Sequence, residues 1–134
     1  MIKNVINLSG HPLSSTAISQ LEDRGYEVET IPVGVDLNKS IADQVKIMVD
    51  QIKSIPMDGS VPFIITIPGL SEITAFLLAE LHGRTGGFPK ICQLRRGEEG
   101  TFQIGEFSHA ENVEEGIADL EKVRLKARGR RWKK

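Results

Sequence analysis

The segment Val61-Pro62-Phe63-Ile64-Ile65-Thr66-Ile67 is almost wholly apolar and stops at Pro68-Gly69. A strand with no wet face has to be covered on both sides, and helices packed on the two faces of a parallel sheet supply that cover. The N-terminal run Val5-Ile6-Asn7-Leu8 ends in the same way, at Ser9-Gly10-His11-Pro12, with a helix start close behind. Two strands that each hand over to a helix through a glycine turn predict an α/β fold of the Rossmann-like kind, with right-handed crossovers.

The remaining elements fall into place around those two. Residues 2–8 read as the first strand, and a helix follows to about residue 24. Ser14 is placed to cap that helix while Leu13 packs onto Ile18. Gly25 supplies a stop, and residues 26–31 alternate Tyr, Val and Thr with Glu27 and Glu29, as a strand with one wetter face does. Ile41, Val45, Met48, Val49, Ile52 and Ile55 keep helical spacing, which predicts a helix over residues 38–55. Ser71 is expected to cap a helix over residues 71–82, and its Ile73, Phe76, Leu77, Leu78 and Leu81 leave little polar surface. Such a helix is either deeply buried or packed on another subunit. Residues 90–95 and 101–107 read as an antiparallel hairpin at the sheet edge, turning at Gly97-Glu98-Glu99-Gly100. A last helix is expected over residues 111–127, with Val113, Ile117, Leu120 and Val123 inward.

A length of 134 residues suits one domain, expected over residues 1–127 with a basic tail over 128–134. No apolar stretch approaches the roughly 20 residues that span a bilayer. Asn4 and Asn7 interrupt what would otherwise be a signal-type core, so the expected location is the cytoplasm. Cys92 is the only cysteine, which removes internal disulfides and thiolate zinc clusters; beside Ile91 it reads as a small core residue. The net charge of −1 hides an asymmetry: eight cations and no acid from Lys122 onward, against 9 cations and 18 acids before it. That tail, with Trp132 in it, suits phosphate contact and stacking on nucleic acid, and it equally suits a solvated end that keeps an acidic body in solution.

In a parallel sheet the strand carboxyl ends share one rim. Ser9-Gly10-His11 and Pro68-Gly69-Leu70-Ser71 therefore face one crevice, each with a glycine for close backbone approach and a helix start that favours anions. Arg95 and Arg96 add charge to that rim if the fourth strand runs parallel to the first and third. His11 suits proton transfer near neutral pH, donation to a phosphate, or a plain backbone bond. His82 at a helix end and His109 before the last helix read as structural, and Glu98-Glu99 as a solvated hairpin tip. The chain has no His-Glu-x-x-His, no paired cysteines, no Gly-x-Gly-x-x-Gly after its first strand and no P-loop. No metal and no cofactor is expected, and a dinucleotide dehydrogenase or P-loop NTPase is disfavoured.

Asn7-Leu8-Ser9-Gly10-His11-Pro12-Leu13, Ile67-Pro68-Gly69 and Leu94-Arg95-Arg96-Gly97 together resemble the small stand-alone CRISPR-associated proteins related to CARF domains, a group of ring nucleases and cyclic oligoadenylate binders. The resemblance covers the chain to about residue 125, and its most specific piece is the Ser-Gly-His-Pro loop. It implies a CARF-like fold and a homodimer that binds cyclic tetra-adenylate, the messenger of type III CRISPR defence, across its two-fold axis, with assembly beyond the dimer open. It implies ligand contacts from Ser9, Gly10, His11, Pro68, Gly69, Leu70, Ser71, Arg95 and Arg96. Two activities stand within it. One is sequestration that lowers free messenger, accompanied at most by slow cleavage. The other is a true ring nuclease, in which a ribose 2′-OH attacks the adjacent phosphate without a metal and leaves a 2′,3′-cyclic phosphate. In the nuclease Ser9 and the Gly10 backbone position the reacting groups, His11 moves a proton or steadies the phosphorane, and Arg95 or Arg96 neutralises charge. Outside the family stands a nucleic-acid adaptor working through the basic tail.

Overall fold

The computed structural model describes residues 3–92, 94–96, 102–104 and 117–131. The first strand, β1 (Lys3–Asn7), lies between β2 (Tyr26–Thr30) and β3 (Ile64–Thr66) and is parallel to both. Beyond β3 come β4 (Lys90–Cys92), also parallel, and β7 (Ile117–Asp119), antiparallel to β4, so the sheet runs β2-β1-β3-β4-β7. A separate antiparallel pair joins β5 (Leu94–Arg96) to β6 (Phe102–Ile104). The fold is thus α/β, with a five-stranded, mostly parallel sheet flanked by helices.

Strand alternation sorts the core into two layers. Ile6, Ile65 and Ile91 lie side by side across β1, β3 and β4 and pack with Val45, Met48 and Val49 of α2 (Ile41–Asp50) and Ile73, Leu77 and Leu81 of α3 (Ser71–Thr85). Val5, Tyr26, Ile64 and Cys92 turn to the other face, where Ala17 and Leu21 of α1 (Ser15–Glu22) cover them. Two layers of helix on one sheet bury β1 and β3 from both sides, which is why those strands read as nearly unbroken apolar runs.

Local signals explain the helix limits. Ser14 caps α1 by accepting from the Ala17 amide at 3.1 Å, and Leu13 and Ile18 share one cluster. α2 is shorter than its apolar spacing predicts. Ser40 sets its start by accepting from the Asp43 amide. At its end the Glu29 carboxylate accepts from the Lys53 and Ser54 amides at 3.0 and 2.8 Å and draws the chain off the helical path. Pro56 disfavours helix at Ile55 as well. Ile52 and Ile55 stay buried in the same core without being helical.

α3 continues past the expected residue 82 to Thr85 and stops at Gly86. Arg84 in its last turn bonds Glu80 at 2.7 Å and Asp50 at 2.8 Å, fastening α3 to the end of α2. The helix is partly buried: Phe76 and Leu70 remain 44% and 53% exposed.

The C-terminal part departs most from expectation. Of the strand expected over residues 90–95, Lys90–Cys92 belong to one sheet and Leu94 and Arg95 to another, so the β5–β6 pair lies beside α1 and is not the sheet edge. That edge is β7, where the apolar spacing predicts the last helix. Asp119 both pairs with Lys90 and caps α4 (Leu120–Arg130), accepting from the Lys122 amide at 3.1 Å. α4 runs beyond residue 127 through Arg130, and Val123, expected inward, is 59% exposed. The turn Gly97-Glu98-Glu99-Gly100, His109, Val113 and the segment from Trp132 lie outside the described residues. No helix among the described residues is long and apolar enough to cross a membrane.

Candidate functional site

The order β2-β1-β3-β4 places a switch point between β1 and β3. From β1 the chain passes to α1 on one face, and from β3 to α3 on the other. The loops after these adjacent strands, residues 8–14 and 67–70, therefore leave the sheet toward opposite faces at its carboxyl rim, the usual ligand position in open α/β sheets. Ser9, Gly10 and His11 belong to the first of these loops; Pro68, Gly69 and Leu70 form the second, and Ser71 opens α3. Because β4 is parallel to β3, Arg95 and Arg96 follow it beyond the same rim, on β5.

One side chain builds the first loop. Asn7, fully buried at the end of β1, accepts at Oδ1 from the Thr66 hydroxyl at 2.6 Å and lies 2.6 Å from Ser9 Oγ and 3.2 Å from the Ser9 amide. Its Nδ2 donates to the His11 carbonyl at 2.8 Å and toward Thr30 Oγ1 at 3.4 Å. Thr66 is also fully buried and accepts from the Leu8 amide at 3.0 Å, closing the link between β1 and β3. No buried side-chain polar atom among the described residues lacks a partner. An uncompensated polar group here costs of order 1–3 kcal/mol, so the full set of bonds holds the loop in one shape.

The consequence for Ser9 is specific. Its hydroxyl is buried, has one proton to give to Asn7 Oδ1 or the His11 carbonyl, and accepts from the His11 amide at 3.2 Å. Ser9 shapes the loop from within, whereas Gly10, His11 and Pro12 are turned outward. Gly10 has φ +83°, a backbone conformation L side chains seldom adopt, and this turns the chain outward at that point.

The opposite wall differs from the sequence expectation in an informative way. Ser71 is not the cap of α3 but its first residue; Leu70 occupies the N-cap position and makes no side-chain hydrogen bond. An aliphatic cap cannot accept from the first-turn amides, so α3 begins without a side-chain cap. Ser71 is exposed beside them, and the Thr74 hydroxyl donates to the Pro68 carbonyl at 3.1 Å, steadying the turn. Glu72, in the first turn, is exposed and opposes an anion at this end.

Other reactive side chains are engaged elsewhere. Cys92 is buried beneath α1, and burial pushes its thiol up to about 12, which removes the thiolate at neutral pH. His82 packs its ring against Phe88 at 4.5 Å. Among the described residues, no three His, Cys, Asp or Glu side chains converge as a metal site would require.

Asn7 and Thr66 are the members of the site that sequence reasoning passed over. The available signal was a polar residue at the carboxyl end of each of two apolar strands, which a buried position tolerates only when the two are bonded. Compared with protein-family models, curated proteins and solved structures, the chain matches none significantly, so its functional reading rests on the geometry of this rim.

Proposed function

We propose that the protein is a CARF-like, Rossmann-type domain that acts in the cytoplasm as a homodimer, binds cyclic tetra-adenylate across its two-fold axis and lowers the free level of this messenger by sequestration. The observation that carries the reading is the switch point between β1 and β3, with the Asn7-braced Ser9-Gly10-His11 loop following one strand and the uncapped amino end of α3 following the other. Backbone amides and a helix start favour phosphate without any catalytic group. A ring with two-fold symmetry and four phosphates is matched by two copies of one such rim. Arg95 and Arg96, following β4 on the same rim, are the cations we assign to it. Leu70 and Phe76, apolar and exposed at the start of α3, supply a surface for the second copy.

Capture is favoured over turnover by the state of Ser9. In-line attack of a 2′-OH needs polar groups aimed at the reacting atoms, and the Ser9 hydroxyl is spent inside its own loop. His11 remains the group on the outward side for a phosphate contact or a proton.

The test mixes the full chain, in excess and in EDTA, with labelled cyclic tetra-adenylate. A lasting complex of one ring per two chains, with the ring recovered intact, is expected. Conversion to linear product on the timescale of binding replaces sequestration with ring cleavage, and absence of any complex overturns the reading.

A further inference from the structure

The helix α4 is fixed to the body at one end only. Asp119 caps it, and Glu121 in its first turn accepts from the Phe88 amide at 3.1 Å. It has no buried side chain, and residues 125–131 are all exposed. That stretch covers about two turns, so the second half of the helix is open on every side.

The charge on this helix is of one sign. Its single acid, Glu121, is held by the Arg124 guanidinium at 2.7 Å, and the chain has no acid from Lys122 onward. Lys122, Lys126, Arg128 and Arg130 are exposed. Lys122, Lys126 and Arg130 recur every fourth residue and form one line of cations about 6 Å apart. Arg124 and Arg128 form a second line on the opposite side of the helix. Such a helix complements a polyanion that can meet it from two directions.

The apolar groups decide which polyanion. Val123 and Leu125 are 59% and 51% exposed, but two residues of helix turn them to nearly opposite sides. A helix that lies in a membrane surface gathers its apolar side chains on one face, and α4 does not. Cations on two sides suit a groove walled by two phosphate strands. The major groove of B-form DNA admits an α-helix, whereas that of A-form RNA is too deep and narrow.

We propose that α4 binds duplex DNA by entering the major groove, with Lys122, Lys126 and Arg130 toward the phosphates of one strand and Arg128 toward those of the other. The contacts are to the backbone and carry no sequence information. Asp119 pairs with Lys90 at the start of β4, so α4 begins at the end of the sheet opposite the carboxyl rim. The proposal therefore stands whether or not that rim binds a cyclic oligonucleotide.

The experiment follows the anisotropy of a short labelled DNA duplex titrated with the full chain. Four phosphate contacts are expected to weaken binding about a hundredfold between about 50 mM and about 200 mM salt. The Lys126→Ala/Arg130→Ala variant is expected to lose about tenfold or more in affinity at low salt and to lower the salt slope by about two; Arg128→Ala lowers it by about one. Both should keep the wild-type melting temperature, since the side chains are exposed and alanine favours helix. Absence of binding at the lower salt, affinity indifferent to salt, or full affinity in both variants overturns the proposal. Equally tight binding to duplex RNA of the same sequence, or to phosphatidylserine vesicles, also overturns it.

Discussion

Thr66 Oγ1 donates a 2.6 Å hydrogen bond to Asn7 Oδ1, joining the last residues of two neighbouring parallel strands that are 59 positions apart in the chain. The bond couples the site to the fold, because the same Asn7 amide holds the His11 carbonyl from its other end. Replacing Asn7 with Ala takes a partner from three hydroxyls, one backbone amide and one backbone carbonyl at once, and a loss of about 2–4 kcal/mol in unfolding free energy is expected. Thr66→Val keeps the shape and removes one hydroxyl, for about 1–2 kcal/mol. Urea denaturation measures both. Values within about 0.5 kcal/mol of wild type for the pair mean that the network is incidental.

Glu72 provides a test of the open helix end that does not depend on removing anything the fold needs. An acid in the first turn stabilises a helix by about 0.3–1 kcal/mol and repels an anion placed there. Glu72→Gln is therefore expected to lower stability slightly while it tightens binding of cyclic tetra-adenylate by about two- to fivefold, more so at low salt. Unchanged or weaker binding by calorimetry at low ionic strength places the phosphates somewhere other than the start of α3.

Two glycines with nearly the same backbone angle separate conformational strain from collision. Gly10 has φ +83°, and a Cβ there meets Val33 only at ordinary contact distance, so Gly10→Ala is expected to cost about 1 kcal/mol. Gly59 has φ +87°, and a Cβ there runs into the Thr85 carbonyl oxygen at the end of α3. Gly59→Ala should cost more than about 2 kcal/mol, with the ranking read from denaturation midpoints. Equal costs would show that the loop around Gly59 moves aside freely.

The parallel strands, the Ser14 cap and the two glycine turns were legible because each depends on residues close together in sequence. The sharing of one rim by residues 9–11 and 68–71 followed from strand direction alone. The Asn7–Thr66 pairing was not legible, since its meaning appears only when β1 and β3 lie side by side. Ile117, Leu120 and Val123 keep helical spacing, yet pairing of Ile117 and Asp119 with β4 holds the first of them as strand. A three-residue strand carries too little local preference to announce itself against such a pattern. At α3 a serine next to an aliphatic residue suggested the wrong cap by one position, and the correction is what leaves the helix end open.

Acid should loosen the C-terminal helix through a single carboxylate. Glu121 bonds the Arg124 guanidinium at 2.7 Å and accepts from the Phe88 amide at 3.1 Å, fastening α4 to the segment just before β4. The arginine first, and then the amide, hold its pKa at about 2 against an ordinary 4.5. A carboxyl depressed on folding contributes stability that is fully present above its unfolded pKa and fades as pH falls through the folded one. The contribution of Glu121 is thus intact at neutral pH and disappears between about pH 5 and pH 2. The same direction holds for Glu29, where burial raises the pKa but bonds from Ser54 and Lys53 outweigh it, and for Asp50 beside Lys46 and Arg84. Glu121→Gln should therefore be less stable than wild type at pH 7 and converge on it by pH 2, with a flatter acid limb in unfolding free energy against pH. Added salt should narrow the gap at pH 7, since the pair is open to solvent and is screened. Parallel curves for the two proteins across pH 2–7 would mean that the Arg124 and Phe88 contacts contribute nothing to holding α4 in place.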